Sequence, residues 1–179
     1  MTTKPTQKEK ALKLYALHHT GKLLILPNIW DALGALLLES LEFPAIATAS
    51  ASVAYSNGYN DGEQIPFNEV LIRLRQIAQS VDVPVTADIE SAYATTDAQL
   101  RENINLLLDT GIVGINIEDT KTDTHSLYSI EEQSNRISII KEVAKERDIP
   151  LFVNARTDVL IHGNLFSDEK AKFEEIIKR

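Results

Sequence analysis

Short apolar runs rich in Ile, Val and Leu alternate with longer amphipathic stretches along almost the whole chain. This is the pattern of β/α units, in which each buried strand is followed by a helix that covers it. The spacing predicts a leading helix over residues 8–20, ended by Gly21, and a strand over 23–26 that stops at Pro27-Asn28. A helix over 30–40 follows, then a strand over 45–49 and a long polar segment, 50–64, in which Asn57-Gly58 and Asp61-Gly62 signal turns. Pro66 opens a helix that runs to residue 80. A third strand over 85–89 precedes a helix over 97–109, capped by Thr96 or Asp97 and closed by Gly111. The fourth strand, 112–117, leads through a loop at 120–128 into a helix that reaches residue 147, where Ser129 and Glu132 have capping-box spacing. Pro150 introduces a fifth strand, 151–155, and a last helix covers 167–178.

Strands linked by helices in this way imply a parallel sheet with right-handed crossovers. A doubly wound open sheet would suit five strands, but the turn after the first one reads Pro27-Asn28-Ile29-Trp30-Asp31 and lacks the Gly-rich nucleotide signal. A (β/α)8 barrel suits the polar residues better, although five units cannot close one. The expected fold is therefore α/β of TIM-barrel type, cut to about five units, with an N-terminal arm and helix over 1–22 and the partial barrel over 23–179.

Composition narrows the function classes. The 179 residues are 44% hydrophobic and 25% charged, as in an ordinary globular chain, and the net charge of -8 argues against nucleic acid or an anionic membrane as partner. The absence of cysteine excludes disulfides, thiolate zinc sites and cysteine nucleophiles. No apolar run approaches the roughly 20 residues of a membrane helix. The start, MTTKPTQKEK, lacks a signal-peptide core, and a cytoplasmic location is expected.

In parallel α/β folds the chemistry gathers at the carboxyl ends of the strands. Here those positions are acidic: Asp61 and Glu63 after the second strand, Asp88 and Glu90 at the third, Glu118 and Asp119 at the fourth, and Asn154, Arg156 and Asp158 at the fifth. Carboxylates collected at one mouth repel one another unless a cation lies among them, and all-oxygen donors point to Mg2+ or Mn2+. One or two carboxylates would touch such an ion and the others would hold its water shell. The plainer role for Asp61, Glu63, Asp119 and Asp158 is helix capping. Asp88, Glu90 and Glu118 extend their strands too directly for that. Arg156 is either the ion-pair partner of these acids or a fork for a substrate carboxylate or phosphonate. Trp30, Tyr55, Tyr59 and Tyr93 read as packing or rim residues, His18 and His19 belong to the leading helix, and His125 sits in a loop that could act as a lid.

The ordered segments LPNIWDALGALLLES, PAIATASASVA, NGYNDGEQIP, PVTADIESAY, GINIEDT and LFVNARTD resemble the isocitrate lyase and phosphoenolpyruvate mutase superfamily. The resemblance implies a Mg2+-dependent TIM barrel that makes or breaks a carbon-carbon or phosphorus-carbon bond beside a pyruvate enolate. It also implies a small-molecule 2-oxo acid substrate and a homo-oligomer with exchanged terminal helices. By position, Asp88 resembles the acid that touches the metal, and Asp61, Glu90 and Glu118 its direct or water-mediated partners. Arg156 resembles the arginine that holds the substrate's anionic end, and amides near Ser50 and Ala51 resemble donors to the pyruvyl oxygens.

Three departures matter. The isocitrate and methylisocitrate lyase branches place a cysteine general acid in the loop that here spans 120–128 without cysteine, which speaks against those two activities. Ala49 stands where the family often has Ser, and Ala92 and Ala94 where it often has Gly. The chain also stops after the fifth unit, so a late catalytic histidine of some branches is expected to be missing, and an open barrel piece is expected to expose two edges and an apolar inner face. Two readings follow: a lyase or mutase of the oxaloacetate decarboxylase-like or phosphonopyruvate-processing kind, or a catalytically inactive member that is stable only as an assembly.

Overall fold

The computed structural model describes residues 4–179, so residues 1–3 of the expected N-terminal arm lie outside the described residues. In chain order the elements are α1 (Gln7–His18), β1 (Asn28–Ile29), α2 (Ala32–Ser40), β2 (Ile46–Thr48), α3 (Ser50–Ser56), α4 (Phe67–Ser80), β3 (Val85–Asp88), α5 (Asp97–Leu108) and β4 (Gly114–Glu118). There follow a small hairpin of β5 (Thr120–Lys121) and β6 (Ser126–Leu127), then α6 (Ile130–Glu146), β7 (Phe152–Arg156), a single 3-10 turn (Gly163–Leu165) and α7 (Glu169–Lys178). No helix among the described residues is long and apolar enough to cross a membrane.

The main sheet has the order β1-β2-β3-β4-β7 and every neighbouring pair is parallel. Each new strand joins on the same side as the last, as in a barrel. A doubly wound sheet would reverse direction at a switch point. Alternate residues of each strand face the same way, and Ile46, Val85, Ala87, Ile115 and Ile117 are buried in one core with α4, α5 and α6.

The opposite, concave face is mixed, with Leu26, Ala47 and Phe152 beside polar side chains, and this corrects in part the expectation of an apolar inner face. Register places Asn28, Ala47, Thr86, Gly114 and Phe152 in one row, Asp88, Asn116 and Asn154 in the next, and Glu118 with Arg156 nearest the strand ends. A trough of about 420 Å3 runs along these side chains. Water can cover such a face at little cost, because its amides and hydroxyls keep hydrogen-bond partners when wet.

Helix α1 closes the end of the sheet away from the mouth. Thr6 and Glu9 cap it reciprocally. Gln7 donates to the carbonyls of Leu108 and Ile112, Lys10 to that of Val81, and the His18 ring stacks on Phe152 at 3.8 Å. All of these partners stand at or before the starts of strands. Leu14 is fully buried against Gly114, where a Cβ would lie 2.7 Å from Leu14 Cδ2 and 2.7 Å from Thr86 Oγ1.

Two elements differ from the sequence pattern. The edge strand is Asn28–Ile29 and not 23–26, because sheet bonding starts where Ala47 N donates to Pro27 O at 3.0 Å. Leu23 before it is exposed. The segment read as a polar loop contains α3, held by burial of Val53 and Ala54.

Candidate functional site

The carboxyl ends of β2, β3, β4 and β7 surround a cavity of about 390 Å3 lined, among others, by Ser50, Asp61, Asp88, Glu90, Glu118 and Arg156. Ala51 lines it as well. The structure thus brings together in one place every residue that the sequence marked as catalytic, substrate-binding or metal-binding.

Asp88 is fixed by its neighbours. Ser50 donates to its Oδ2 from Oγ at 2.8 Å and from N at 3.3 Å, Asn116 Nδ2 donates to Oδ1 at 2.9 Å, and Asn154 donates onward to Asn116 Oδ1. Glu90 follows the strand with its backbone in the left-handed region, φ 52°, and its Oε2 accepts from Glu63 N at 2.8 Å. Burial, then the charges of Glu63 and Asp61, push the Glu90 carboxyl up to about 8. Glu118 is also pushed up to about 8, by burial and by Asp158, against the pull of Arg156. Asp61 is exposed at the rim.

Arg156 is the ion-pair partner that its plainer reading expected. Nη1 lies 2.6 Å from Glu118 Oε1, and Nε donates to Asp158 Oδ1 at 2.7 Å. Among the described residues Nη2 has no acceptor, so one edge of the guanidinium is left for a small anion.

Of the acids whose plainer role was helix capping, Glu63, Asp119 and Asp158 instead bond to neighbouring loops, and Asp61 stays at the rim. Glu63 ties loops together, as set out below. Asp119 is buried and accepts from Asp158 N, Thr157 Oγ1 and Arg179 Nη1. Asp158 Oδ2 accepts from Thr120 Oγ1 at 2.7 Å. Tyr93 packs on Phe67 with centroids 4.9 Å apart, and burial raises its phenol. His125 lines the cavity from the β5–β6 hairpin.

Sequence reasoning passed over two residues. His162 lines the cavity, its Nε2 3.0 Å from Thr120 Oγ1, which itself donates to Asp158. Because that hydroxyl's proton goes to the carboxylate, Nε2 of His162 is the donor in the contact. Arg136 is buried in α6, where Nη1 and Nη2 donate to the carbonyls of Ala94 and Ser91 and the guanidinium lies 4.4 Å over the Tyr128 ring. An arginine four residues after Glu132 on the same helix gives no sign in sequence that it holds the loop after β3.

The donor set suits a hard divalent cation. It is all oxygen, and burial and like charge push two of its carboxyls up to about 8, a cost of ionisation that a cation among them would relieve. Among the described residues no group of three His, Asp or Glu side chains could hold an ion together. Asp88, Glu90 and Glu118 are the carboxylates that could hold such an ion, directly or through water.

The chain matches the family described as phosphoenolpyruvate phosphomutase over residues 14–179. It is similar to a 2-methylisocitrate lyase of Halalkalibacterium halodurans, 26% identical over 167 residues that cover 89% of this chain and 54% of the relative. Among solved structures it resembles a proposed phosphonomutase of Burkholderia cenocepacia J2315, with TM-score 0.81 and 37% identity over 84% of this chain and 61% of that one. It also resembles a phosphonopyruvate hydrolase in complex with oxalate and Mg2+, with TM-score 0.78 and 26% identity over 86% and 54% of the two chains. The chain spans about half the length of the curated relatives it matches.

Proposed function

The chain belongs to the phosphoenolpyruvate phosphomutase family, in the superfamily that also holds the isocitrate lyases, and on that footing we propose that its mouth cavity binds a divalent cation, Mg2+ or Mn2+, and a 2-oxo acid. The reaction class is cleavage or rearrangement of the bond beside a pyruvate enolate. The observation that carries this reading is the convergence of Asp88, Glu90, Glu118 and Arg156 on one cavity. The Mg2+ and oxalate of the phosphonopyruvate hydrolase neighbour support it by analogy.

When bound, the cation would lower the cost of negative charge on the substrate's oxygens. The chain's own residues do the rest. Ser50 and Asn116 hold Asp88 in one orientation. The free Nη2 edge of Arg156 receives the anionic end of the substrate, and the amide of Ala51 faces its carboxylate. Asp61 at the rim orders water beside Glu90. The lack of cysteine at residues 120–128 speaks against isocitrate and methylisocitrate cleavage and favours oxaloacetate-like or phosphonopyruvate-like substrates.

The inactive reading has one specific support: Glu118 and Asp158 already occupy two nitrogens of Arg156. Self-association is part of both readings. Leu33 is 76% exposed and Leu37 58% on α2, an apolar surface of the kind that a second copy covers. The deciding experiment is pyruvate release from oxaloacetate, methylisocitrate and phosphonopyruvate, each with Mg2+. Turnover abolished by Asp88→Ala supports the enzyme, and silence from a folded chain supports the inactive member.

A further inference from the structure

Helix capping is the plainer sequence reading of Glu63. The residue caps none. Its carboxylate is the meeting point of loops from three different β/α units. Oε1 accepts from Ser91 N at 3.1 Å, Ser91 Oγ at 2.8 Å and Tyr93 N at 2.8 Å, all on the loop after β3. Oε2 accepts from Thr122 Oγ1 at 2.8 Å, on the β5–β6 hairpin. The Ser91 and Thr122 hydroxyls are themselves 2.9 Å apart, and Glu63 N donates to Glu90 Oε2 at 2.8 Å.

The backbone explains why the loop after β3 needs such a partner. Glu90, Ala92 and Tyr93 all have left-handed backbone, with φ 52°, 65° and 53°. For residues with a Cβ this conformation costs about 1–2 kcal/mol each, so it persists only where the surroundings impose it. The amides that bind Glu63 belong to Ser91, between two of these positions, and to Tyr93, which is one of them. The carboxylate therefore holds the very turn that directs Glu90 into the cavity, while its amide holds the Glu90 carboxylate itself.

We infer that Glu63 is a positioning residue: one carboxylate locks the loop after β3 to the β5–β6 hairpin and so aims Glu90 at the cation. This inference rests on the divalent-cation reading of the cavity. Gln in place of Glu63 keeps the size but removes the charge and one acceptor oxygen, so the bonds to the loop after β3 and to Thr122 lose their charge assistance and the lock weakens without a cavity being made. Thr122→Ala removes the lock's hydrogen bonds to the hairpin and leaves those to the loop after β3.

The test is Mg2+ titration by calorimetry on the full chain, wild type against Glu63→Gln and Thr122→Ala, well below each protein's melting midpoint, with amide exchange followed at Tyr93. Glu63→Gln is expected to weaken Mg2+ by about 10–100-fold and to speed exchange at Tyr93. Thr122→Ala is expected to weaken it by a smaller factor. A merely structural glutamate would lower the melting midpoint and leave the folded protein's Mg2+ affinity unchanged, which overturns the inference. If Glu63→Gln does not fold, wild-type affinity in Thr122→Ala overturns it equally. Wild type that takes up no Mg2+ refutes the cation reading and this inference with it, whereas Mg2+ bound equally by wild type and variants refutes the inference alone.

Discussion

Glu118 and Arg156 stand directly opposite each other on β4 and β7, with the guanidinium Nη1 2.6 Å from the carboxylate. Asp158 completes the group on the other side of the arginine, at 2.7 Å from Nε. Burial and Asp158 push the Glu118 carboxyl up to about 8 against the pull of Arg156, so the guanidinium offsets only part of the cost of charge inside the mouth.

Arg156→Ala is accordingly expected to destabilise the fold by about 1–3 kcal/mol, because it leaves two acids without their cation at a partly buried site. Glu118→Gln added to that variant should recover part of the loss. Denaturant unfolding at pH 7.5 of the single and double variants checks this, and a double variant no better than the single one would contradict it.

Gly114→Ala tests how α1 seats on the sheet. The new methyl would meet the side chains of Leu14 and Thr86 at 2.7 Å, and Thr86 belongs to a central strand that cannot give way. A loss of about 1–3 kcal/mol is expected from such overpacking. A melting midpoint equal to wild type would show that α1 rests elsewhere.

Glu132 sets a pH dependence. Its carboxylate accepts from Ser129 N at 2.7 Å and from Lys121 Nζ at 2.9 Å, and first the cap bond, then the lysine, hold its pKa at about 2. A lowered folded pKa gives stability that is full above the unfolded value near 4.5 and lost as pH falls toward 2. The group is exposed, so the contribution is at most about 1 kcal/mol. Wild type should exceed Glu132→Gln in denaturant midpoint at pH 6, and the two should converge by about pH 2.

Arg136→Lys should behave as a severe change. The planar fork reaches two carbonyls of the loop after β3 while lying on Tyr128. A lysine places one compact charge there and leaves a buried carbonyl without its donor. The expected cost is about 1–3 kcal/mol, read by thermal unfolding, and Arg136→Lys with wild-type stability would contradict it.

What sequence could and could not show follows from where the information lies. The Ser129–Glu132 capping box is local, and the spacing alone reveals it; Thr6 and Glu9 have the same spacing and the same bonds. The acids at strand ends were legible because a strand's direction carries them to a common mouth. The edge strand was misplaced because Leu23 and Ile25 are apolar yet exposed, so their hydrophobicity does not report sheet bonding. The polarity of the concave face lies in alternate residues such as Thr86, Asn116 and Asn154, which single strands present too sparsely to read. Glu63, Arg136 and His162 work through residues from 27 to 59 positions away, and only the folded chain brings these together.

Calorimetric titration of Mg2+ into wild type and Asp88→Asn, with oxalate added as a 2-oxo acid mimic, tests the central claim most directly. The account predicts one site per chain in wild type, tightened by oxalate, and at least about 100-fold weaker in Asp88→Asn, which loses a charged ligand while keeping its shape. Equal binding by the two proteins, or none by a folded wild type, would contradict it.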